Sequence, residues 1–93
     1  MTELLNDRRE ILRIAAEHGA RNLRVFGSVA RDEARPDSDL DLLVDMEDGR
    51  SLLDLVGLGQ DLEALLKRRV DVVTANSVHS AIRASILSDA RPL

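Results

Sequence analysis

The sequence predicts an α/β (α+β) protein, a small three-stranded mixed sheet flanked by helices in the order α-β-α-β-α-β-α. Two observations carry this. Short runs rich in Leu, Val and Phe at 22–26, 40–45 and 70–74 read as strands. The segments around them carry apolar residues at helical spacing or turn residues. Ninety-three residues make a single domain over 1–93, with one modest core that buries about two-thirds of the unfolded surface.

The elements follow in order. Residues 2–18 form a helix that Thr2 can cap, with Leu4, Ile11 and Ala15 at helical spacing beside Leu5 and Leu12. Gly19 stops it, and His18 faces solvent near the C-terminal end. Asn22–Phe26 is the first strand, Ser28–Ala34 a short helix, and Arg35-Pro36-Asp37-Ser38 the loop leading to a second strand, Leu40–Asp45. The end of the first strand and the start of the second reach the same place, so the two should run antiparallel. Met46–Arg50, with Gly49, is a turn.

Ser51 caps a helix running to about Arg68, with Leu52, Leu55, Leu58, Leu62, Leu65 and Leu66 as its buried stripe. Gly57 and Gly59 interrupt it, at up to about 1 kcal/mol each relative to Ala, so a close neighbour is expected against them. Lys67, Arg68 and Arg69 form a solvated cap that suits the helix dipole. Val70–Thr74 is the third strand. A right-handed crossover makes it parallel to the second, with their starts at one edge. Asn76 or Ser77 caps a last helix, Val78 to about Ser88, bearing Ile82, Ile86 and Leu87, with Arg83 at the surface. Ala90–Leu93 is a tail.

The chemistry concentrates between Val25 and Val44. Asp39 and Asp41 alternate with Leu40, so both carboxylates leave one face of the second strand. They repel unless a cation lies between them. Hard oxygen ligands suit Mg²⁺ or Mn²⁺ better than Zn²⁺. Gly27 lets the backbone come close to a ligand. Ser28 and the N–H groups of the turn that follows make an anion site, and Arg31 adds a positive charge. A phosphate cradle facing a divalent-metal site is equipment for phosphoryl or nucleotidyl transfer. Asp-x-Asp and Gly-Ser are each common on solvated strands and in turns. What distinguishes this stretch is their order, with ten residues between Ser28 and Asp39. Asp71, one residue into an apolar strand, lies near the same edge and can join as a third carboxylate; otherwise it is an edge-strand charge that discourages aggregation.

Composition excludes other classes. The absence of Cys removes disulfides, thiolate zinc sites and thiol nucleophiles, and suits a cytoplasmic protein. No apolar run reaches membrane-spanning length, and no signal-peptide pattern opens the chain. A net charge of −4 argues against direct nucleic-acid binding. Phe26 is the only aromatic residue, so stacking platforms for single strands are missing and a nucleotide would be held mainly through its phosphates.

GSVAR at 27–31 followed by SDLDLLV at 38–44 resembles the signature of the DNA polymerase β-like nucleotidyltransferase superfamily. More narrowly it resembles the minimal nucleotidyltransferase (MNT) domain of MntA-type antitoxins in HEPN/MNT toxin–antitoxin systems, over nearly the whole chain. The resemblance implies a polymerase β palm-like fold. It makes Asp39, Asp41 and Asp71 catalytic residues holding one or two Mg²⁺ ions, and sets Gly27, Ser28, Arg31 and Ser38 at the nucleotide, with ATP as substrate. In that family the third acid helps bind metal and assists deprotonation of the attacking hydroxyl. The family usually has Gly after the Arg; here it is Asp32, a carboxylate either near the triphosphate or turned to solvent.

The larger resembling enzymes carry an acceptor-binding domain. Here another molecule is expected to supply the acceptor, and the chain has no Tyr of its own. The resemblance implies transfer of AMP to a tyrosine of a HEPN ribonuclease toxin, within a hetero-oligomer. Neutralisation by binding alone is the alternative, and transfer to a small molecule such as an antibiotic is a third reading.

Overall fold

A computed structural model of the chain describes residues 2–35 and 38–93, and for Thr2 and Glu3 the backbone alone. The capping role expected of Thr2 and the middle of the Arg35–Ser38 loop lie outside the described residues. In chain order the elements are helices α1 (Thr2–Asn6) and α2 (Arg8–Glu17), strands β1 (Ala20–Phe26) and β2 (Leu40–Met46), helix α3 (Leu52–Leu66), strand β3 (Val70–Val73), a single 3₁₀ turn (Ala75–Ser77), helix α4 (Ser80–Asp89) and strand β4 (Arg91–Pro92).

The sheet is mixed, as expected, but has four strands rather than three, in the order β3-β2-β1-β4. The expected tail supplies the fourth: Val25 pairs with Arg91 and Arg24 with Pro92, antiparallel. Proline fits there because an edge strand leaves its missing N–H without a partner to disappoint. β1 and β2 run antiparallel and β2 and β3 parallel, both as the sequence implies. β1 starts two residues earlier than expected, passing through an irregularity between Arg21 and Arg24. Asn22 takes a left-handed backbone there (φ 52°). Its side-chain amide donates to Asp45 at 2.9 Å.

Three helical expectations are corrected. The first helix is two pieces, broken at Asp7. The segment after Gly27 is a run of turns rather than a helix. The last helix begins at Ser80, with His79 as its cap accepting from the Ala81 N–H at 3.0 Å. Asn76 and Ser77 instead belong to the 3₁₀ turn, where the Ser77 hydroxyl accepts from the Thr74 N–H. α3 behaves as expected at its start: the Ser51 side chain and Asp54 form a reciprocal capping box.

The core lies on one face of the sheet. Val25 of β1, Leu40, Leu42 and Val44 of β2, Ile11 of α2, and Leu58 and Leu62 of α3 are all fully buried. Strand alternation sends Asp41, Leu43 and Asp45 to the other face. The expected α3 stripe is shorter than its leucines, since Leu52 at the first turn is 73% exposed.

Each α3 glycine has a neighbour, but not an equally close one. His18, expected in solvent, is half-buried. Its Nε2 lies 2.7 Å from the Asp61 carboxylate. Its ring rests on Gly57, where a Cβ would come within 2.9 Å of Cε1. At Gly59 a Cβ would meet nothing nearer than the Val70 carbonyl at 3.7 Å. Gly59→Ala should therefore gain most of the helix propensity difference, about 0.5–1 kcal/mol. Gly57→Ala should gain less, because the His18–Asp61 contact must yield. Urea denaturation of both variants checks this, and a more stable Gly57→Ala than Gly59→Ala would contradict it.

Candidate active site

Gly27 ends β1 with a left-handed backbone, φ +76°. Any Cβ there would collide with the Asp41 carboxylate. Both facts require glycine. The chain then turns sharply: Arg31 N–H donates to Gly27 C=O at 3.2 Å, and Glu33 N–H to Ser28 C=O at 2.9 Å. Among the described residues the N–H groups of Ser28, Val29 and Ala30 donate to no acceptor. Successive free N–H groups after a left-handed residue make a concave anion nest. The anion site expected at Gly27 and Ser28 therefore has a backbone basis, but it is a turn and not a helix N-terminus.

The three acids converge through the sheet. Asp41 faces Phe26 across β1–β2 and Asp71 across β2–β3. Asp39 sits one residue before β2 and is half-buried, as Asp41 is, while Asp71 is exposed. Burial pushes the Asp41 carboxyl above its ordinary pKa, the negative charges of Asp71 and Asp39 push it further, and Arg31 partly offsets them. The three carboxylates are thus close enough to repel. They do not close into a cage: among the described residues no group of three or more His, Cys, Asp or Glu side chains is gathered tightly enough to hold a metal ion. The donor set is all-oxygen and mutually repelling, which fits a hard divalent cation in chemistry without being preassembled around one.

The remaining expected residues are placed differently. Arg31 is exposed and pairs with carboxylates. Its guanidinium donates to Asp89 at the end of α4 at 2.6 Å and to Glu33 at 3.3 Å. Ser38 is committed locally, its hydroxyl accepting from the Arg35 N–H at 2.8 Å. Asp32 is exposed and left-handed (φ 57°), which is why a glycine suits that position and why an aspartate, among the residues that tolerate it best, can stand there.

Arg68 is expected from sequence in a solvated cap. It is half-buried, and its Nε donates to the Ser38 carbonyl at 3.1 Å. It ties the end of α3 to the residue preceding Asp39. Nothing in the sequence pattern distinguishes it from Lys67 or Arg69, because only the tertiary placement of Ser38 brings a carbonyl within its reach. Arg83, expected at the surface, likewise closes local carbonyls, donating to Ala75 at 2.9 Å and to Val78 at 3.3 Å.

Residues 8–93 match the family described as the nucleotidyltransferase domain. The chain belongs to that family. The protein adenylyltransferase MntA of Thermococcus cleftensis is 48% identical over 71 residues, 76% of this chain and 72% of that one. A solved structure provisionally named a minimal nucleotidyltransferase is 53% identical, with TM-score 0.84 over 98% of this chain and 94% of that one. The fold is also that of an MNT antitoxin solved with the tri-AMPylated HEPN toxin of Shewanella oneidensis, at TM-score 0.71 and 19% identity over 99% of this chain and 71% of that one. In this nucleotidyltransferase the fold expected from the GSVAR and SDLDLLV motifs is therefore present, with its added edge strand.

The raised pKa of Asp41 has a stability consequence. The folded state holds that proton more tightly than the unfolded chain, so stability falls as pH rises from the ordinary carboxylate pKa through the raised one. Asp41→Asn removes the charge and keeps the shape. In metal-free buffer it should melt higher than the parent at pH 7, and the gap should close toward pH 4. Thermal melts across that range check this; a gap independent of pH would contradict it.

Proposed function

We propose that this protein is a Mg²⁺-dependent protein adenylyltransferase that moves AMP from ATP to a tyrosine hydroxyl of a HEPN-type toxin partner, and so acts as its antitoxin. The observation that carries this is the register Phe26–Asp41–Asp71, with the glycine turn pressed against Asp41. It sets a backbone anion nest beside three acids. The names of the similar proteins supply the nucleotide, the acceptor class and the partner. Residues 1–93 act as one minimal domain, and we place the protein in the cytoplasm. Among the described residues no helix is long and apolar enough to cross a membrane.

The Gly27–Ala30 backbone binds the β/γ-phosphates, with the Ser28 hydroxyl beside them. Asp39 and Asp41, with Asp71, would hold Mg²⁺, whose charge offsets that of the triphosphate. The acceptor oxygen forms a bond to the α-phosphorus of ATP. The bond from that phosphorus to the bridging oxygen breaks, and pyrophosphate leaves with the electron pair. Asp71, the most exposed of the acids, takes the hydroxyl proton. Arg31, held by Asp89 and Glu33, acts at a distance by its charge on Asp41. The sequence holds no Tyr, so the acceptor belongs to another molecule.

A second reading, neutralisation by binding alone, is favoured by two observations: Arg31 is engaged by carboxylates, and the acids are not preassembled for metal. Intact mass spectrometry separates the two. The chain is incubated with Mg²⁺, ATP and its HEPN partner. A gain of one or more AMP units on the partner, absent with Asp39→Asn/Asp41→Asn, is expected. A stable complex without mass gain would establish the binding-only reading instead.

A further inference from the structure

Two helices leave apolar side chains uncovered on either side of β3. Leu52 and Val56 of α3 are 73% and 47% exposed, and Ile82 of α4 is 52% exposed. They line an open groove of about 620 Å³, with Val72 and Val73 of β3 between them. The same groove includes Asp41 and Asp71 in its wall. It is therefore continuous with the site.

The groove is built to receive side chains rather than another strand. β3 has no neighbour beyond it in the sheet, an arrangement that invites strand addition. Its outward N–H groups are closed at both ends: Val70 donates to the Glu63 carboxylate at 3.0 Å and Thr74 to the Ser77 hydroxyl at 3.1 Å. That leaves too little free backbone for a ladder, and the apolar walls remain.

Charge then decides which substrate enters. The ionisable side chains lining the groove are Asp41, Glu63 and Asp71, all acidic. Beyond Asp41 and Asp71, whose charge a metal ion would offset, the lining adds only Glu63 and apolar walls and has no cationic side chain to hold a further phosphate. The N–H nest after Gly27 and the Arg31 charge belong to the β1 side of Asp41, whereas the groove runs mainly along β3, α3 and α4 on its other side and reaches β1 only at Phe26. Displacement at phosphorus needs the attacking and departing oxygens in line. Phosphates on the β1 side leave the β3 side to the attacking group.

We propose that this groove is the acceptor subsite: it seats an apolar segment of the partner protein, neutral or basic in charge, whose hydroxyl reaches the phosphorus from the β3 side. This rests on the transfer reading above and adds where the acceptor lies and what chemistry flanks its hydroxyl. Apolar neighbours of the hydroxyl fill the space between α3 and α4, and a basic neighbour meets Glu63.

The test uses two groove variants and a control. Val56→Asp and Ile82→Asp change exposed positions, so the core is untouched. Leu53 is 80% exposed and lies outside the groove lining, so Leu53→Asp controls for added charge on α3. Two quantities are measured for each: Mg²⁺–AMP-PNP affinity by calorimetry, and the rate of AMP addition to the HEPN partner at sub-saturating partner by intact mass. Val56→Asp and Ile82→Asp should each slow transfer about tenfold or more, as loss of a well-packed apolar anchor does. Their AMP-PNP affinity should stay within about twofold of the parent, since a weak indirect effect is well under 1 kcal/mol. Leu53→Asp should change neither.

Unchanged transfer in both groove variants would overturn the acceptor subsite while leaving the transfer reading intact. A parallel fall in AMP-PNP affinity would also overturn it, because the groove would then belong to the nucleotide. Absence of AMP transfer by the parent protein would overturn the transfer reading itself, and the subsite with it.

Discussion

The constraint on which the site depends is the approach of the Gly27 backbone to the Asp41 carboxylate. No side chain fits between them, and the left-handed turn at Gly27 would strain any other residue. That contact brings the end of one strand and the start of its antiparallel neighbour to one point. It also puts unpaired N–H groups, with their partial positive charge, beside a carboxylate that burial and two further acids disfavour in its charged form. A site of this kind carries both signs of charge within one turn of backbone. Such a site suits a substrate that brings anionic phosphates and a cation together.

Everything nearby holds that arrangement from outside. The parallel β2–β3 register sets Asp71 opposite Asp41. Arg68 grips the Ser38 carbonyl and so sets where the chain enters β2 at Asp39. Asp89 anchors Arg31, and Arg91 donates to the Ala30 carbonyl at 3.2 Å, so the C-terminal helix and strand brace the glycine turn. These contacts join segments far apart in the chain, and few of them are buried. The one ion pair among these contacts, Arg31–Asp89, is worth little by itself. The effect of the contacts is to restrict where the Gly27 turn and the entry to β2 can go, which is what positioning in phosphoryl transfer would require.

The strands, the three acids and the glycine turn were legible because each depends on local pattern: period-two alternation around Asp39 and Asp41, one aspartate in an otherwise apolar β3, and Gly before Ser at a strand end. Crossover handedness then supplied the parallel pairing of β2 and β3. What escaped depends on distance in space. The Arg31–Asp89 pair escapes sequence reading because Asp89, 58 residues away, is not a neighbour in sequence. The residues after Ala90 looked like a tail because two residues, one of them proline, carry no strand signal of their own; β1 makes them one. Leu52 looked buried because helical spacing marks a face without saying how far along the helix the partner extends.

Asp41 is a half-buried, crowded carboxylate whose charge a bound cation would relieve. The most direct measurement is a pH titration of the Asp41 side-chain carboxyl by ¹³C NMR, without and with Mg²⁺ and AMP-PNP. A pKa above the ordinary carboxylate range is expected in the free protein, with a marked fall when Mg²⁺ and the nucleotide bind. An ordinary pKa that does not respond to either would contradict this expectation.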